Sequence, residues 1–362
     1  MDRMRRTLVA VTTLLAVTAA PAAAAAGPQA MQDRLDDVVA AGAIGVLAEA
    51  RDERGVWRGA AGVAELGATR PVPVRGRFRT GSITKTFLAT VVLQMVAERR
   101  LRLDDTVEQW LPGVVPGGDR ITLRHLLQHT SGLYDVVRTL PLPPAPEFFA
   151  NRWRTWTPEE LIARAVAHPP TGETPGERFA YSNTGYLVLG QIVAKAAGRP
   201  YGEEIERRII GPLRLRGTSM PGTSPGIPGP HPHGYVPGDG GVVDYTEMNP
   251  SVFGAAGELI STAHDLNRFF AALLGGRLLP ARLLRAMKTP GVGNGRYGLG
   301  LTWRTTGCGI RVYGNDGDAL AYQAWSFSTE DRRRQVTVAI TAGTQRDLDD
   351  AVGAVLDEAF CD

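Results

Sequence analysis

The sequence TGSITKTFLATVVLQM, residues 80–95, predicts a buried helix that carries a lysine in its first turn. Ile83, Phe87, Val91 and Met95 form an apolar face with a spacing of four, and Leu88, Val92 and Val96 widen it. We therefore predict a helix over residues 82–99. A cation in the first turn opposes the positive end of the helix dipole, so the charge of Lys85 needs a separate explanation.

Lysine is rare in this chain, because only three of its 40 basic residues are lysines. An arginine stays protonated, whereas a desolvated lysine can release its proton. Ser82 lies one helical turn before Lys85, so the two side chains share a face. Backbone N–H groups at a helix N-terminus favour a developing negative charge. The pattern predicts a serine nucleophile with a lysine base; the alternative is a surface lysine on the shoulder of the helix.

A second candidate segment is FAYSNTGYLVLG, residues 179–190, in which Tyr181 follows an extended stretch and Asn183 stands where a helix begins. A tyrosine that faces a lysine cation is expected to have its pKa lowered, which would let it take up a proton and return it. Taken alone, Tyr181 is better explained as a half-buried aromatic residue and Asn183 as a helix cap.

The composition is that of a globular chain with an export signal. Of its 362 residues, 43% are hydrophobic and 21% are charged. Three arginines precede an apolar run at residues 8–20 and an alanine-rich stretch, so we expect residues 1–26 to be a signal peptide and the protein to be secreted. The run is too short to span a membrane, and no later run is longer. Without residues 1–26 the net charge is near zero, which argues against a nucleic-acid partner.

Strand-like and helical patterns divide the chain into three parts. Apolar runs predict strands at residues 44–51, 56–63, 310–313, 318–327 and 335–341. Helical periodicity predicts further helices at residues 31–41, 122–128, 158–167, 184–197, 263–274, 280–287 and 348–360. Strands near both ends with helices between them predict an α+β fold with one antiparallel sheet, flanking helices and an inserted, mostly helical lobe. We expect one domain, 27–362, with a sheet lobe at about 31–90 and 291–362 and a helical lobe at about 91–290.

Two further residue pairs suggest a disulfide and, less strongly, a metal. Cys308 and Cys361 are the only cysteines, and in an exported protein such a pair predicts one disulfide, the alternative being two buried thiols. His125 and His129 have a spacing that suits a metal. No glutamate completes an H-E-x-x-H motif, so we expect no metal site.

Taken together, the motifs resemble those of the serine hydrolases that unite D-alanyl-D-alanine carboxypeptidases, class C β-lactamases and related esterases. Ser82 and Lys85 match the S-x-x-K motif of that family, and Tyr181 and Asn183 match its Y-x-N motif. Two more stretches are similar to family segments: ITLRHLLQHTSGL, residues 121–133, and AAGELISTAHDLNRFF, residues 255–270. The resemblance covers residues 31–360.

The resemblance implies a two-lobed β-lactamase/transpeptidase-like fold and a reaction that needs no cofactor. It implies that Ser82 is the acylated nucleophile, that Lys85 and Tyr181 transfer protons, and that Asn183 contacts a substrate amide. Backbone N–H groups of Ser82 and Asp318 would form the oxyanion hole.

The third family motif, H/K/W-x-G, corresponds to Asn315, Asp316 and Gly317 within VYGNDGDALAY, residues 312–322. Gly317 fits, because a glycine lets a substrate backbone approach the strand closely. Asn315 departs from the pattern, since an asparagine lacks the charge that receives a substrate carboxylate in carboxypeptidases. We therefore expect poor recognition of a terminal carboxylate.

The predicted function is that of a secreted serine-type D-Ala-D-Ala carboxypeptidase acting on cell-wall peptides. One alternative is an esterase or β-lactamase with the same machinery, and another is a weakly active protein that binds penicillin or peptidoglycan. The expected ligands are thus a small peptide, an ester or a β-lactam, and peptidoglycan is a further candidate partner.

Overall fold

A computed structural model of the protein describes residues 27–172, 174–343 and 348–361. The predicted signal peptide at residues 1–26 lies outside the described residues. The strands are β1 Ala43–Asp52, β2 Gly55–Gly62, β3 Arg77–Arg79, β4 Tyr235–Gly238, β5 Gly241–Asp244, β6 Ile260–Thr262, β7 Thr302–Thr305, β8 Arg311–Asp318, β9 Gln323–Thr329 and β10 Gln335–Ala342.

Described helices occupy much of the space between these strands. They are α1 Pro28–Ala40, α2 Ile83–Ala97, α3 Val107–Trp110, α4 Leu123–Leu127, α5 Pro146–Ala150, α6 Pro158–Val166, α7 Asn183–Ala197, α8 Tyr201–Ile205, α9 Gly211–Leu213, α10 Ala263–Leu274, α11 Ala281–Lys288 and α12 Asp349–Cys361. Single 3₁₀ turns lie at Val136–Thr139, Pro250–Val252 and Gly254–Ala256, and a π turn joins α8 to α9. In the part of the chain that the structure describes, no helix is both long and apolar enough to cross a membrane.

The main sheet is antiparallel, with the strand order β2-β1-β10-β9-β8-β7. The two ends of the chain meet in the interior pairing of β1 with β10, in which Val46 lies opposite Ile340. Helices α1 and α12 pack together on one face of the sheet, and α10 packs on the other. Both central strands are almost wholly buried because helices cover both faces. The predicted α+β fold, with a sheet built from both ends of the chain, is confirmed; the lobe boundaries stay a prediction.

Helix α2 is buried on all sides, as its apolar sequence predicts. Ile83, Phe87 and Leu88 have no exposed surface, and the ring of Phe87 stacks on that of Phe269 in α10. The helix begins at Ile83 with Ser82 at the N-cap position. A helix enclosed on every side holds its first turn rigidly, and this turn carries the candidate site.

The predicted strands at 310–313 and 318–327 are wrong in their bounds. The structure has a continuous strand β8 up to Asp318, then a tight turn, and then β9. In the turn the Leu320 N–H donates to the Asp318 carboxylate over 2.7 Å, and Leu320 has a left-handed φ of 65°. The two glycines of β8 weaken the strand signal in the sequence, whereas the structure needs them: a Cβ on Gly314 would lie 1.9 Å from the Ser326 carbonyl oxygen.

The predicted disulfide is present in the structure. Cys308, in the loop between β7 and β8, is bonded to Cys361 at the end of α12, with the Cα atoms 5.7 Å apart. The bond ties the last described helix to the edge of the sheet.

Candidate active site

Ser82 lies on a sharp turn between β3 and α2, directly against the end of β8. Gly81 has a φ of 53°, and a Cβ there would lie 2.5 Å from the Asp318 carbonyl oxygen. Only glycine permits both this backbone conformation and this close approach. The turn therefore presents the Ser82 side chain at the junction of three elements.

The structure brings the three predicted catalytic residues together. The Ser82 hydroxyl oxygen lies 2.9 Å from the Lys85 Nζ atom and 2.7 Å from the Tyr181 hydroxyl oxygen. Tyr181 comes from the extended segment before α7, 99 positions along the chain from the serine. The serine thus has one proton-transfer group on each side.

Lys85 is fully buried, and its ammonium nitrogen has three oxygen neighbours. These are the Ser82 hydroxyl at 2.9 Å, the Asn183 Oδ1 atom at 2.8 Å and the Ala256 carbonyl oxygen at 2.7 Å. Burial lowers the pKa of Lys85 to about 7, although carboxylates at Asp135 and Asp316 oppose the shift. A substantial fraction of the lysine is therefore uncharged near neutral pH.

A count of hydrogens shows what the uncharged lysine can do. A neutral amine has two N–H donors and one lone pair. The Ala256 carbonyl oxygen can only accept, and so can Asn183 Oδ1, because the Nδ2 atom of that amide donates to Asp135 over 3.1 and 3.2 Å. Both N–H groups are then used, and the lone pair is left for the hydroxyl proton of Ser82. The geometry suits proton transfer from serine to lysine.

Tyr181 differs from the sequence-based expectation, which was a lowered pKa. Burial of its hydroxyl raises the pKa of Tyr181 well above the usual value, and the nearby Tyr297 adds to the shift. The hydrogen bond with Ser82 acts in the opposite direction but does not outweigh burial. Tyr181 therefore keeps its proton at neutral pH, and it is suited to donate that proton rather than to act as the first base.

The His129 ring packs against the ring of Tyr181. The two rings stack with their centroids 4.1 Å apart, and His129 Nδ1 accepts the backbone N–H of Ser182 over 3.2 Å. His125 instead accepts the backbone N–H of Thr122 and caps α4. Each histidine therefore has a defined role in holding backbone, and in residues 27–172, 174–343 and 348–361 no cluster of three or more His, Cys, Asp or Glu side chains is arranged to hold a metal.

The end of β8 lies against the turn that carries Ser82, so the backbone nitrogens of Ser82 and Asp318 are close together. A Cβ on Gly317 would lie 2.1 Å from the Thr80 carbonyl oxygen and 2.5 Å from the Ser82 nitrogen. The nitrogen of Asp318 is equally close to the neighbouring turn, 2.7 Å from where a Cβ of Gly81 would stand. This contact brings together the two segments predicted to form the oxyanion hole.

Asn315 is not brought into the open part of the site. Its side chain is 4% exposed, and its Nδ2 atom donates to the Thr86 hydroxyl over 3.0 Å and more weakly to the Ser82 carbonyl oxygen over 3.5 Å. The amide thus lies beneath the serine, where it joins β8 to α2. The predicted contact between Asn315 and substrate has no support in this placement.

Sequence reasoning missed two groups that complete the site, the Asp135 carboxylate and the Ala256 carbonyl. Asp135 follows the family-like stretch 121–133 by two residues and, in the sequence, looks like an ordinary helix cap. A backbone carbonyl leaves no trace in the residue types, although Ala256 does lie within the family-like stretch 255–270. The sequence alone therefore did not indicate that the Ala256 carbonyl accepts from Lys85 or that Asp135 accepts from the neighbouring Asn183.

The cleft above Ser82 has a volume of about 460 Å³ and mostly apolar walls. Of the described residues that line it, only Asp318 is charged. The apolar lining consists mainly of Val136, Val137, Leu142, Pro143, Leu187, Pro237, Val252, Phe253 and Leu320. A second cavity of about 70 Å³ adjoins it, because five of these side chains line both spaces, and it continues between Phe148, Trp156 and Tyr245. The site is suited to an apolar group next to the reacting bond.

Comparison with known proteins gives the same family as the motifs. The D-stereospecific amidohydrolase from Streptomyces sp. superposes with a TM-score of 0.85 at 40% sequence identity, covering 92% of this chain and 99% of that one. Esterase EstB of Burkholderia gladioli is 32% identical over 188 residues, or 48% of this chain and 46% of that protein. Penicillin-binding protein 4 of Amycolatopsis lactamdurans is 29% identical over 219 residues, or 58% and 54%. The matches thus span about half the length of these two curated relatives.

The family assignment follows from the extent of the match and from the geometry around the serine. The beta-lactamase family model matches residues 29–359, which includes every residue placed in the site above. The resemblance predicted from the motifs is confirmed, and the chain belongs to the beta-lactamase family of serine hydrolases.

Proposed function

We propose that this hydrolase cleaves amides and esters of D-amino acids through an acyl-enzyme on Ser82. The observation that carries the proposal is the Ser82 hydroxyl held between the lone pair of Lys85 and the hydroxyl of Tyr181, at the floor of an apolar cleft. A nucleophile within hydrogen-bond reach of an activating base is the arrangement that covalent catalysis needs.

In the proposed acylation, Ser82 Oγ attacks the substrate carbonyl carbon while its proton passes to Lys85 Nζ. The N–H groups of Ser82 and Asp318 stabilise the carbonyl oxygen as it becomes negative. Tyr181 gives its proton to the leaving amine or alcohol, and the proton held by Lys85 then passes to the phenolate, which restores the phenol and the neutral amine. Water attacks the acyl-enzyme in the reverse sequence, which returns the Ser82 proton and releases the acid.

The preference for an uncharged leaving group rests on the charges at the cleft. None of the described side chains that line it is basic, and the buried Asn315 amide replaces the cation that the family motif has at that place. A terminal carboxylate would therefore find no basic side chain in the cleft, whereas an amide or ester needs none. Arg152 lines the adjoining cavity, where it donates to the Glu247 carbonyl oxygen. The D-stereospecific activity named for the Streptomyces structure supports the same substrate class.

A D-Ala-D-Ala carboxypeptidase is the second candidate, and the match with a penicillin-binding protein favours it. The same acylation would then release a D-alanine that carries a carboxylate. An esterase activity is included in the main proposal, and the match with esterase EstB supports it. We also propose that the protein is exported by residues 1–26, a location that the disulfide supports.

The test compares three substrates on the wild type and on Ser82→Ala: D-phenylalanine amide, L-phenylalanine amide and an N-acylated D-Ala-D-Ala peptide. We expect the D-amide to be cleaved at least about tenfold faster than the L-amide and the peptide, a difference of roughly 1.4 kcal/mol in transition-state binding. Ser82→Ala should be inactive on all three. Faster release of D-alanine from the peptide would favour the carboxypeptidase, and equal rates on the two amides would refute D-specificity.

A further inference from the structure

Asp135 lies outside the three motifs, but its carboxylate accepts several hydrogen bonds next to the catalytic lysine. It caps the 3₁₀ turn Val136–Thr139, where its Oδ1 atom accepts the N–H of Val137 over 3.3 Å. The same oxygen accepts the backbone N–H of Asn183 over 3.1 Å. The side-chain amide of Asn183 donates to both carboxylate oxygens, over 3.1 and 3.2 Å. One carboxylate thus fixes both the backbone and the side chain of Asn183.

The orientation of that amide decides what Lys85 meets. With Nδ2 turned to Asp135, the Asn183 Oδ1 atom faces Lys85 over 2.8 Å and accepts one of its hydrogens. A flipped amide would point an N–H group at the lysine and leave that hydrogen without an acceptor. The lysine would then lose the constraint that aims its lone pair at Ser82.

We propose that Asp135 is a positioning residue for acylation, which holds the Asn183 amide so that Lys85 directs its lone pair at Ser82. The inference rests on the proposed roles of Ser82 as nucleophile and Lys85 as base. It does not depend on whether the substrate is an amide, an ester or a peptide.

The charge of Asp135 has a second, separable effect on the same lysine. Among the described residues, several titratable groups face Lys85 from the elements packed around it: Asp135, Asp316, His129, Tyr181 and Tyr186. The two carboxylates raise the pKa of Lys85, while burial lowers it to about 7. Removing the Asp135 charge should therefore lower this pKa further, so that the lysine is uncharged at a lower pH.

The two effects act on different parts of one pH profile. Lost positioning lowers the plateau of the acylation rate, whereas the lost charge moves the acid limb to lower pH. A purely structural role would reduce the amount of active protein without moving the limb. The plateau rate per active site, with active sites counted from the burst amplitude, is thus the readout of positioning, and the limb reports the lost charge.

The experiment measures the rate of Ser82 acylation by p-nitrophenyl acetate, from the burst of p-nitrophenol or p-nitrophenolate, between pH 5 and pH 9. We expect Asp135→Asn to lower the plateau about 10- to 100-fold and to shift the acid limb down by about one pH unit. Asp135→Glu keeps the charge, so its limb should stay within a few tenths of a unit of the wild type. The matched control is Asp105→Asn, since Asp105 also accepts one backbone and one side-chain N–H, from Arg102 and Trp110.

Asp135→Ser provides the answer if the asparagine variant folds poorly, because a serine still caps the 3₁₀ turn but has no charge. An unchanged plateau rate per active site in a folded uncharged variant would overturn the proposal. Failure to cleave D-amides would contradict the proposed substrate while leaving this profile measurable with the acetate ester. A wild type that shows neither a burst nor turnover of the acetate ester would instead remove the nucleophile on which both proposals depend.

Discussion

Lys85 shows how one residue type can be required by its environment rather than by its charge. Its neighbours offer two acceptors and one hydroxyl, a set that a neutral amine satisfies with two N–H groups and its lone pair. A guanidinium has five donors in a rigid plane and no lone pair to offer. The rarity of lysine in the sequence drew attention to Lys85, whose role as a base stays a prediction. The raised pKa of Tyr181 could not be predicted from the sequence, because desolvation depends on the folded surroundings.

Replacing Lys85 with arginine should abolish base function even though the positive charge remains. We expect kcat/KM for a p-nitrophenyl ester to fall by at least about 100-fold, since general base catalysis contributes roughly 10²–10⁴. Lys195→Arg is the matched control, because the Lys195 ammonium donates to the Trp110 carbonyl at the surface. Retention of more than a tenth of the wild-type activity by the Lys85 variant would contradict the assigned role.

Lys85 should also destabilise the folded protein in a way that depends on pH. Its pKa is lowered from 10.5 to about 7 on folding, so between these values the unfolded chain binds the proton more tightly, and this contribution to stability improves as pH rises. Lys85→Met should therefore raise the free energy of unfolding by more at pH 7 than at pH 9, the difference being about 2 kcal/mol. Urea unfolding of both proteins at the two pH values measures it, and a larger gain at pH 9 would refute the burial argument.

At the scale of elements, the contact between β8 and the first turn of α2 holds the site together. The Thr86 hydroxyl accepts from Asn315 and donates to the Gly300 carbonyl, so a single side chain ties the helix to two other segments. Gly317 adds a backbone contact that leaves no room for a side chain. Strand β8 and helix α2 are therefore closely packed here, and a change in one of these residues should affect the others.

Gly317→Ala should disrupt this junction more than its size suggests. Its Cβ would lie 2.1 Å from the Thr80 carbonyl oxygen, so strand and turn must separate. Overpacking of this kind costs about 1–3 kcal/mol, and the displaced N–H groups should lower acylation by at least about 100-fold. The control is Gly241→Ala, which would place its Cβ in open space; full activity in the Gly317 variant would show that the N–H of Asp318 has no part in catalysis.

The sequence predicted the long helices well, but it did not predict the short strands, which form through contacts between distant parts of the chain. Helices α2, α7 and α10 fall close to their predicted bounds, because each is a long segment of three or more turns: α10 has a distinct buried face, and α2 and α7 are apolar over most of their length. Strands β3 and β6 have three residues each and pair with one another from distant parts of the chain, so no local pattern identifies them. The Ser82, Lys85 and Tyr181 set followed from motifs, whereas Asp135 entered only through the contact of its turn with α7.

At the scale of the whole molecule, the disulfide limits how far the chain can open. Cys308 and Cys361 enclose 53 positions, and the chain-entropy model gives a stabilisation of roughly 4 kcal/mol for such a loop. Replacing both cysteines with serine should lower the midpoint of urea unfolding while activity at 25 °C persists, since neither sulfur lies at the cleft. Alkylation of both thiols in unfolded, unreduced wild-type protein would contradict the bond.

The pairing of β1 with β10 also ties the reactivity of the serine to the completion of the fold. It joins a strand near residue 340 to one near residue 46, and folds with such distant pairings form slowly. In the unfolded chain Lys85 is exposed to water and keeps its proton, and no strand lies beside Ser82. The nucleophile is therefore inactive until the chain has folded.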